Sequence, residues 1–292
     1  MKLVSFSRSG AECCGAVVGE RVLDLQAASG GAVRPPMAAI LASDDAMAAT
    51  RELVARAGAD AAFLDRHSLP LSEVNLLAPV PRPGKIMCVG LNYADHAAET
   101  GTAIPEWPVI FTKAPSAVIG HGASIIVPAV SEQIDYEVEL GAIVGRPAKG
   151  VTAEEALDHV AGYTVLNDVS VRDYQKVKGG GQWPLGKSFD THCPMGPCLV
   201  TPDEIGDPHD LELECVVSGE TLQSSSTRHM MRGVGELIAH LCGGMTLEPG
   251  DVIATGTPPG VGVARRPPRW LRPGDVVECT VEKIGTLRNL VE

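Results

Sequence analysis

Between Pro79 and Gly84 the chain reads Pro-Val-Pro-Arg-Pro-Gly, and three prolines in five residues can continue neither a helix nor a central strand. Proline lacks the backbone N–H that both kinds of ladder need, so the stretch divides the chain in two. The division predicts a small N-terminal α+β lobe over 1–78 and a larger domain over 79–292. Within the lobe, 2–7 and 16–24 read as short strands, the latter a hairpin about Gly19-Glu20. Ala, Leu and Met recur between Asp and Arg over 36–67, which predicts two or three short helices broken near Ser43-Asp44 and Gly58.

Beyond the prolines, β-signals dominate. Residues 85–90, 109–113, 124–127, 136–144, 162–168, 211–217 and 220–223 alternate or are β-branched, with Gly and Pro turns between them. Two helices interrupt this pattern, one opening on a capping box at Thr152 and Glu155, the other over 230–241. Leu247-Glu-Pro-Gly-Asp-Val and Leu271-Arg-Pro-Gly-Asp-Val repeat one formula, read as the same turn entering two strands. The fold class is therefore mostly β with some α. With 292 residues, 45% of them hydrophobic, the chain can bury a large core. A net charge of -12 with no basic face argues against nucleic acid. No apolar run is long enough to cross a membrane, and the first residues lack the apolar stretch of a secretory leader, so the expected location is cytoplasmic. The 8 cysteines show no Cys-x-x-Cys spacing and read as reduced core residues; Cys193 and Cys198 have no local base to make either a nucleophile.

The chemistry concentrates in a few places. Glu137 and Glu139 stand two apart among Tyr136, Val138 and Leu140, so a strand places both carboxylates on one face, where they repel unless a cation lies between them. Asp168, at the end of a second strand, is the candidate third ligand. The plainer alternative is the wet face of an edge strand. His96 and Glu99, i and i+3 on a short helix bracketed by Gly90 and Gly101, suit a general base on a lid, or equally a surface pair. Gly181 to Ser188 matches the spacing of a phosphate loop, but Trp183 and Pro184 lie inside it and proline removes a needed N–H, so a nucleotide site is rejected. Lys187 in that stretch reads as a cation beside the metal or as a surface lysine. The Gly/Pro-rich loop 255–262 offers N–H groups and hydroxyls to a substrate carboxylate, or is a structural turn.

Five stretches in order resemble the fumarylacetoacetate hydrolase superfamily, in its acylpyruvase-like branch: Val-Gly-Leu-Asn-Tyr-Ala-Asp-His ending at His96, Asp-Tyr-Glu-Val-Glu-Leu ending at Leu140, Asn-Asp-Val-Ser-Val-Arg-Asp-Tyr-Gln ending at Gln175, Gly-Lys-Ser-Phe-Asp ending at Asp190, and the loop 255–262. The resemblance implies a mixed β-roll with few helices, usually a homodimer, and Mg²⁺ or Mn²⁺ held by Glu137, Glu139 and Asp168. It implies water activation by His96 and Glu99 with help from Lys187, and substrate contacts from Arg172, Gln175 and Thr257. Ser218-Gly-Glu stands where the family usually has Asn-Gly-Glu, away from this chemistry. The implied activity is cleavage of a C–C bond in an acylpyruvate or related 2,4-diketo acid through a metal-stabilised enolate. Oxaloacetate decarboxylation and isomerisation or tautomerisation of a 2-oxo acid use the same site, and a non-catalytic binding member of the fold is the reading from another class. The expected partner is a small-molecule acid.

Overall fold

The computed structural model describes residues 1–99, 101 and 103–292. At its centre lies the strand Val138–Val144, buried at every position. Alternation sends Val138, Leu140, Ala142 and Val144 to one face, against Leu213, Cys215, Val217, Cys279 and Val281. Ile143 faces the other way, toward Ile86, Val252, Met37 and Ile40. Glu139 shares the side of Ile143 by the same alternation, so a carboxylate is carried into the interior rather than onto a wet edge.

Around this strand runs a 12-stranded mixed sheet ordered Ser68–Pro70, Arg21–Asp24, Ala11–Val18, Lys2–Arg8, Cys193–Val200, Val160–Asn167, Val138–Val144, Val252–Ala254, Ile86–Gly90, Val109–Thr112. Asn75–Leu76 pairs with Lys2–Arg8, and Val118–Ile119 runs parallel to Cys193–Val200. Val252–Ala254 is parallel to Ile86–Gly90, which makes the sheet mixed. A 4-stranded antiparallel sheet, Glu220–Ser226, Glu212–Val217, Val276–Val281 and Gly285–Leu290, covers one face. The architecture is the mostly β, mixed roll that the resemblance implies. The N-terminal strands extend the large sheet, with Lys2 opposite Val200 and Leu3 opposite Leu199.

Local chemistry explains several boundaries. Ser43 and Asp60 each accept a hydrogen bond from the third N–H of the following helix, at 3.1 and 3.0 Å, which separates Met37–Leu41, Asp44–Ala59 and Ala61–His67. The second break therefore falls at Asp60 rather than Gly58. The capping box at Thr152 forms, starting Ala153–Ala156. In both repeated turns the aspartate accepts the N–H three residues back, Glu248 N to Asp251 Oδ2 at 2.7 Å and Arg272 N to Asp275 Oδ2 at 2.9 Å. Two expectations shift. Residues 124–127 form no ladder, only a bridge from Ile125 to Val291. The helix expected over 230–241 starts at Val234, because Met231 N–H is drawn to Asn92 O at 2.8 Å and Met230 bridges to Tyr93.

The register brings four strand ends together. Val138 pairs with Asn167, Ala254 with Gly141, and Ala254 with Cys88, so the starts and stops of these strands surround one point.

Candidate metal centre and active-site pocket

At that point Glu137, Glu139 and Asp168 each present a carboxylate oxygen, and these oxygens lie within 4.8 Å of one another. All three residues are buried, at 5%, 1% and 0% exposure. Glu137 does not sit on a continuous strand as the alternation predicts: Ile134–Asp135 pairs with Ser170–Val171 in a separate two-stranded sheet, and the strand of the large sheet begins only at Val138. The residues before and at Asp168 hold the break in place. Asn167 Oδ1 accepts the Glu137 N–H at 3.0 Å, and the Asp168 N–H donates to Glu137 O at 2.9 Å.

Cations surround the triad. Lys187 Nζ bridges Glu137 Oε2 at 2.7 Å and Asp168 Oδ2 at 2.6 Å. Arg172 reaches Glu137 Oε1 at 2.6 Å and Asp135 Oδ2 at 2.7 Å, and donates to Gln175 Oε1 at 3.0 Å. Two residues here escaped the sequence reading. Lys113, buried, holds the other oxygen of Asp168 at 2.6 Å; it lies just past the strand Val109–Thr112 and carries no local signal of its partner. Asp135 anchors Arg172 and accepts N–H bonds from Gly262 and Val263 at 2.7 and 3.0 Å.

The loop 255–262 serves the protein's own carboxylates. Gly256 N–H donates to Glu139 at 2.8 Å, Gly260 N–H to Glu99 at 2.9 Å, and Gly262 N–H to Asp135. Thr257 lines the pocket, its hydroxyl donating to Val138 O at 2.9 Å and accepting from Gln223 at 2.8 Å. One close approach sets the opposite wall. A Cβ on Gly186 would lie 2.3 Å from the Gln175 backbone nitrogen, so glycine there lets the short helix Pro184–Lys187 stack on the wide helical turn Tyr174–Lys178. Lys187 and Gln175 thereby reach the same pocket.

Burial and charge act in opposite directions on the two glutamates. Burial raises the Glu137 carboxyl, but the Lys187 and Arg172 charges outweigh it and hold the group well below the usual carboxylate range. For Glu139, burial and then the charges of Asp168 and Glu137 push the carboxyl well above that range. Its one hydrogen-bond donor among the described residues is Gly256 N–H. A buried carboxylate raised by its neighbours' charges is a position that a cation would stabilise. Oxygens around a hard divalent ion stand about 4.2 Å apart at most for Mg²⁺. The three carboxylates fit such an ion after a small inward movement, and an all-oxygen donor set suits it.

Above the triad opens a pocket lined by His96, Leu91, Phe111, Trp183, Arg172 and Gln175, among others. His96 and Glu99 lie on the helix Ala94–Glu99, with Nδ1 and the carboxylate 3.7 Å apart. His96 is buried, at 7% exposure, while Glu99 is exposed. Burial raises the Glu99 carboxyl, but His96 and the Gly260 N–H more than offset this and leave it lowered. Gly90 has a packing reason rather than a hinge role: a Cβ there would meet the Trp183 ring at 2.5 Å. Gly101 adopts φ +69°, beyond the helix. Cys193 and Cys198 are buried strand residues whose thiols burial pushes up to about 12 and about 11, which leaves them without nucleophilic character.

A model of the fumarylacetoacetate (FAA) hydrolase C-terminal family matches residues 85–292. The chain is 51% identical over 223 residues to the bovine "Oxaloacetate tautomerase FAHD2A, mitochondrial", covering 76% of this chain and 71% of that protein. Among solved structures, fumarylacetoacetate hydrolase from Exiguobacterium antarcticum superposes with TM-score 0.83 at 38% identity, covering 100% of this chain and 99% of the other. Maleylpyruvate hydrolase from Sphingobium sp. SYK-6, solved with manganese(II) and pyruvate, superposes with TM-score 0.77 at 30% identity, covering 100% and 98%. These comparisons favour the second of the two enzymatic readings, decarboxylation or tautomerisation, over acylpyruvate hydrolysis. They also overturn the cytoplasmic expectation, since bovine, human and frog relatives are all named mitochondrial. That expectation rested on a missing apolar leader, but mitochondrial targeting segments are amphipathic and Arg-rich, so the criterion had no bearing on that compartment. A family match across residues 85–292, joined to the buried acidic triad, makes this chain a member of the fumarylacetoacetate hydrolase family.

Proposed function

We propose that the protein is a divalent-metal-dependent oxaloacetate tautomerase, interconverting the enol and keto forms of this 2-oxo acid. The observation that carries the reading is the buried triad Glu137, Glu139 and Asp168 beneath the His96–Glu99 pair. The name of the bovine relative and the manganese and pyruvate of the Sphingobium hydrolase support it. A Mg²⁺ or Mn²⁺ ion held by the triad would supply Lewis-acid stabilisation of a developing enolate.

The chain's own residues do the rest. Glu99 faces Nδ1 of His96 and orients the ring, leaving Nε2 to exchange a proton with C3 of the substrate. In ketonisation the enol oxygen gives its proton to solvent, the C2–C3 double bond becomes single, C3 gains a proton from His96, and solvent returns a proton to His96. The Lys187 ammonium stabilises the oxyanion between these steps. Arg172, Gln175 and Thr257 form the wall that orients the acid, while Phe111 and Trp183 exclude water. The homodimer implied by the resemblance belongs to the same reading, and light scattering in solution tests it.

The decisive measurement tracks the ultraviolet absorbance of enol-oxaloacetate with Mg²⁺ or Mn²⁺ added. Decay well above the buffer rate, abolished by chelator and restored by added metal, is expected. Decay at the buffer rate in every condition would sink the reading. Hydrolysis remains the second reading because the His96–Glu99 pair can equally polarise water; incorporation of ¹⁸O from solvent into a product of acylpyruvate cleavage would favour it.

A further inference from the structure

We propose that Lys176 is a specificity-determining residue that receives a second, distal carboxylate, so that the site selects dicarboxylic 2-oxo acids over their monocarboxylic analogues. The inference rests on the tautomerase reading for the reacting end of the substrate, and on the pocket wall for the other end.

Arg172, Gln175 and Lys176 come from one segment running into the wide helical turn Tyr174–Lys178, and Arg172 donates to Gln175 Oε1 at 3.0 Å. All three line the pocket. Their commitments differ. Arg172 is tied to Asp135 and Glu137, and Lys187 to Glu137 and Asp168. The Lys176 side chain is exposed, its ammonium makes no hydrogen bond or ion pair among the described residues, and partial burial together with the Arg172 charge holds that ammonium below the ordinary lysine value. A cation at a pocket wall, repelled by its neighbour and lacking a carboxylate of its own, suits an anionic group arriving with the substrate. The lining also includes Val89, Leu91, Phe111 and Trp183, whose side chains offer a distal carboxylate no charge.

Charge points the same way. With all four of its carboxylates ionised, Asp135, Glu137, Glu139 and Asp168, the floor sets them against three cations, Lys113, Arg172 and Lys187, a net of -1. A divalent ion changes this to about +1 and Lys176 to about +2, which a dianion neutralises and a monoanion does not.

Lys176→Met tests the assignment with matched ligands differing only at the distal end. Exchange of the C3 protons for solvent deuterium, read by NMR, compares oxaloacetate with 2-oxobutyrate. Calorimetry with Mg²⁺ present compares binding of malate with that of 2-hydroxybutyrate, independently of turnover. For the variant, KM for oxaloacetate should rise about tenfold or more with kcat little changed, and malate binding should weaken by a similar factor. The monocarboxylates should change by less than about twofold, and Lys176→Arg should restore most of the preference. Equal weakening of both members of a pair, or no change in malate binding, overturns the proposal. Wild-type protein that prefers malate yet exchanges no C3 protons would sink the tautomerase reading and leave Lys176 standing.

Discussion

His192 offers a test of the packing that supports the proposed substrate wall. It is fully buried and stacks on Phe189 with ring centres 5.6 Å apart; Phe189 in turn packs edge-on against Tyr174, at 5.2 Å. Tyr174 opens the turn that carries Gln175 and Lys176. The His192 Nε2 lies 3.0 Å from Ile126 O, so that nitrogen bears the proton and donates it. Burial lowers the imidazole from 6.5 to about 4; the bond to Ile126 opposes the shift and the nearby Lys113 charge adds to it. The unfolded chain thus takes up a proton near pH 6.5, the folded chain only near pH 4. Between these values the unfolded state binds more protons, so stability falls as pH is lowered, with no further loss from this group below the folded value. At about 1.4 kcal/mol per unit, lowering the pH from 7.5 to 5 costs about 2 kcal/mol through this residue alone. His192→Gln keeps an N–H donor for Ile126 O and does not titrate. Urea unfolding of both proteins at the two pH values, at one protein concentration, gives a double difference in which every other titrating group cancels. The wild type should lose about 2 kcal/mol more than the variant. Parallel losses would refute the claim that the ring is held neutral by its burial.

Two further perturbations address the site itself. Asp168→Asn removes one charged ligand and leaves Lys113 and Lys187 facing an amide; divalent-ion binding measured by calorimetry should weaken at least about a hundredfold, and wild-type affinity in the variant would refute the triad as a metal site. Gly186→Ala forces a methyl group against the Gln175 backbone, costing about 1–3 kcal/mol and displacing Lys187 from its carboxylates, so enol turnover should fall at least about tenfold while circular dichroism shows the sheet retained.

Legibility in the residues divides along sequence separation. The capping box at Thr152, the caps at Ser43 and the repeated turns at Asp251 and Asp275 are settled within three or four residues, and the chain announces them. The triad also left a mark, because two glutamates among apolar residues are conspicuous, although the break between Asp135 and Val138 that aims Glu137 is not. Long-range pairing left none. Nothing near Lys113 indicates that its ammonium meets Asp168, 55 residues on. Nothing in the glycines of 255–262 distinguishes a cradle for substrate from one for Glu139, Glu99 and Asp135. Gly90 illustrates the same limit: a glycine at a strand end reads as a hinge until Trp183, far along the chain, is found against it.

The buried charges themselves argue for function over stability. Apolar residues of similar volume would fill this floor at no loss of folding free energy, and often with a gain of about 1–4 kcal/mol. The fold instead secures each carboxylate by an oxygen: Asp168 Oδ1 by Lys113, Glu137 Oε1 by Arg172, Glu139 Oε2 by Gly256 N–H. That leaves Glu137 Oε2 and Asp168 Oδ2 to share Lys187, and Glu139 raised by its neighbours' charges. Carboxylates so fixed cannot rotate away from one another without abandoning a partner, so their mutual repulsion persists in the folded state. On the proposed reading, a divalent ion held by the triad would relieve that repulsion in the folded chain and not in the unfolded one, which would couple metal occupancy to stability as well as to turnover.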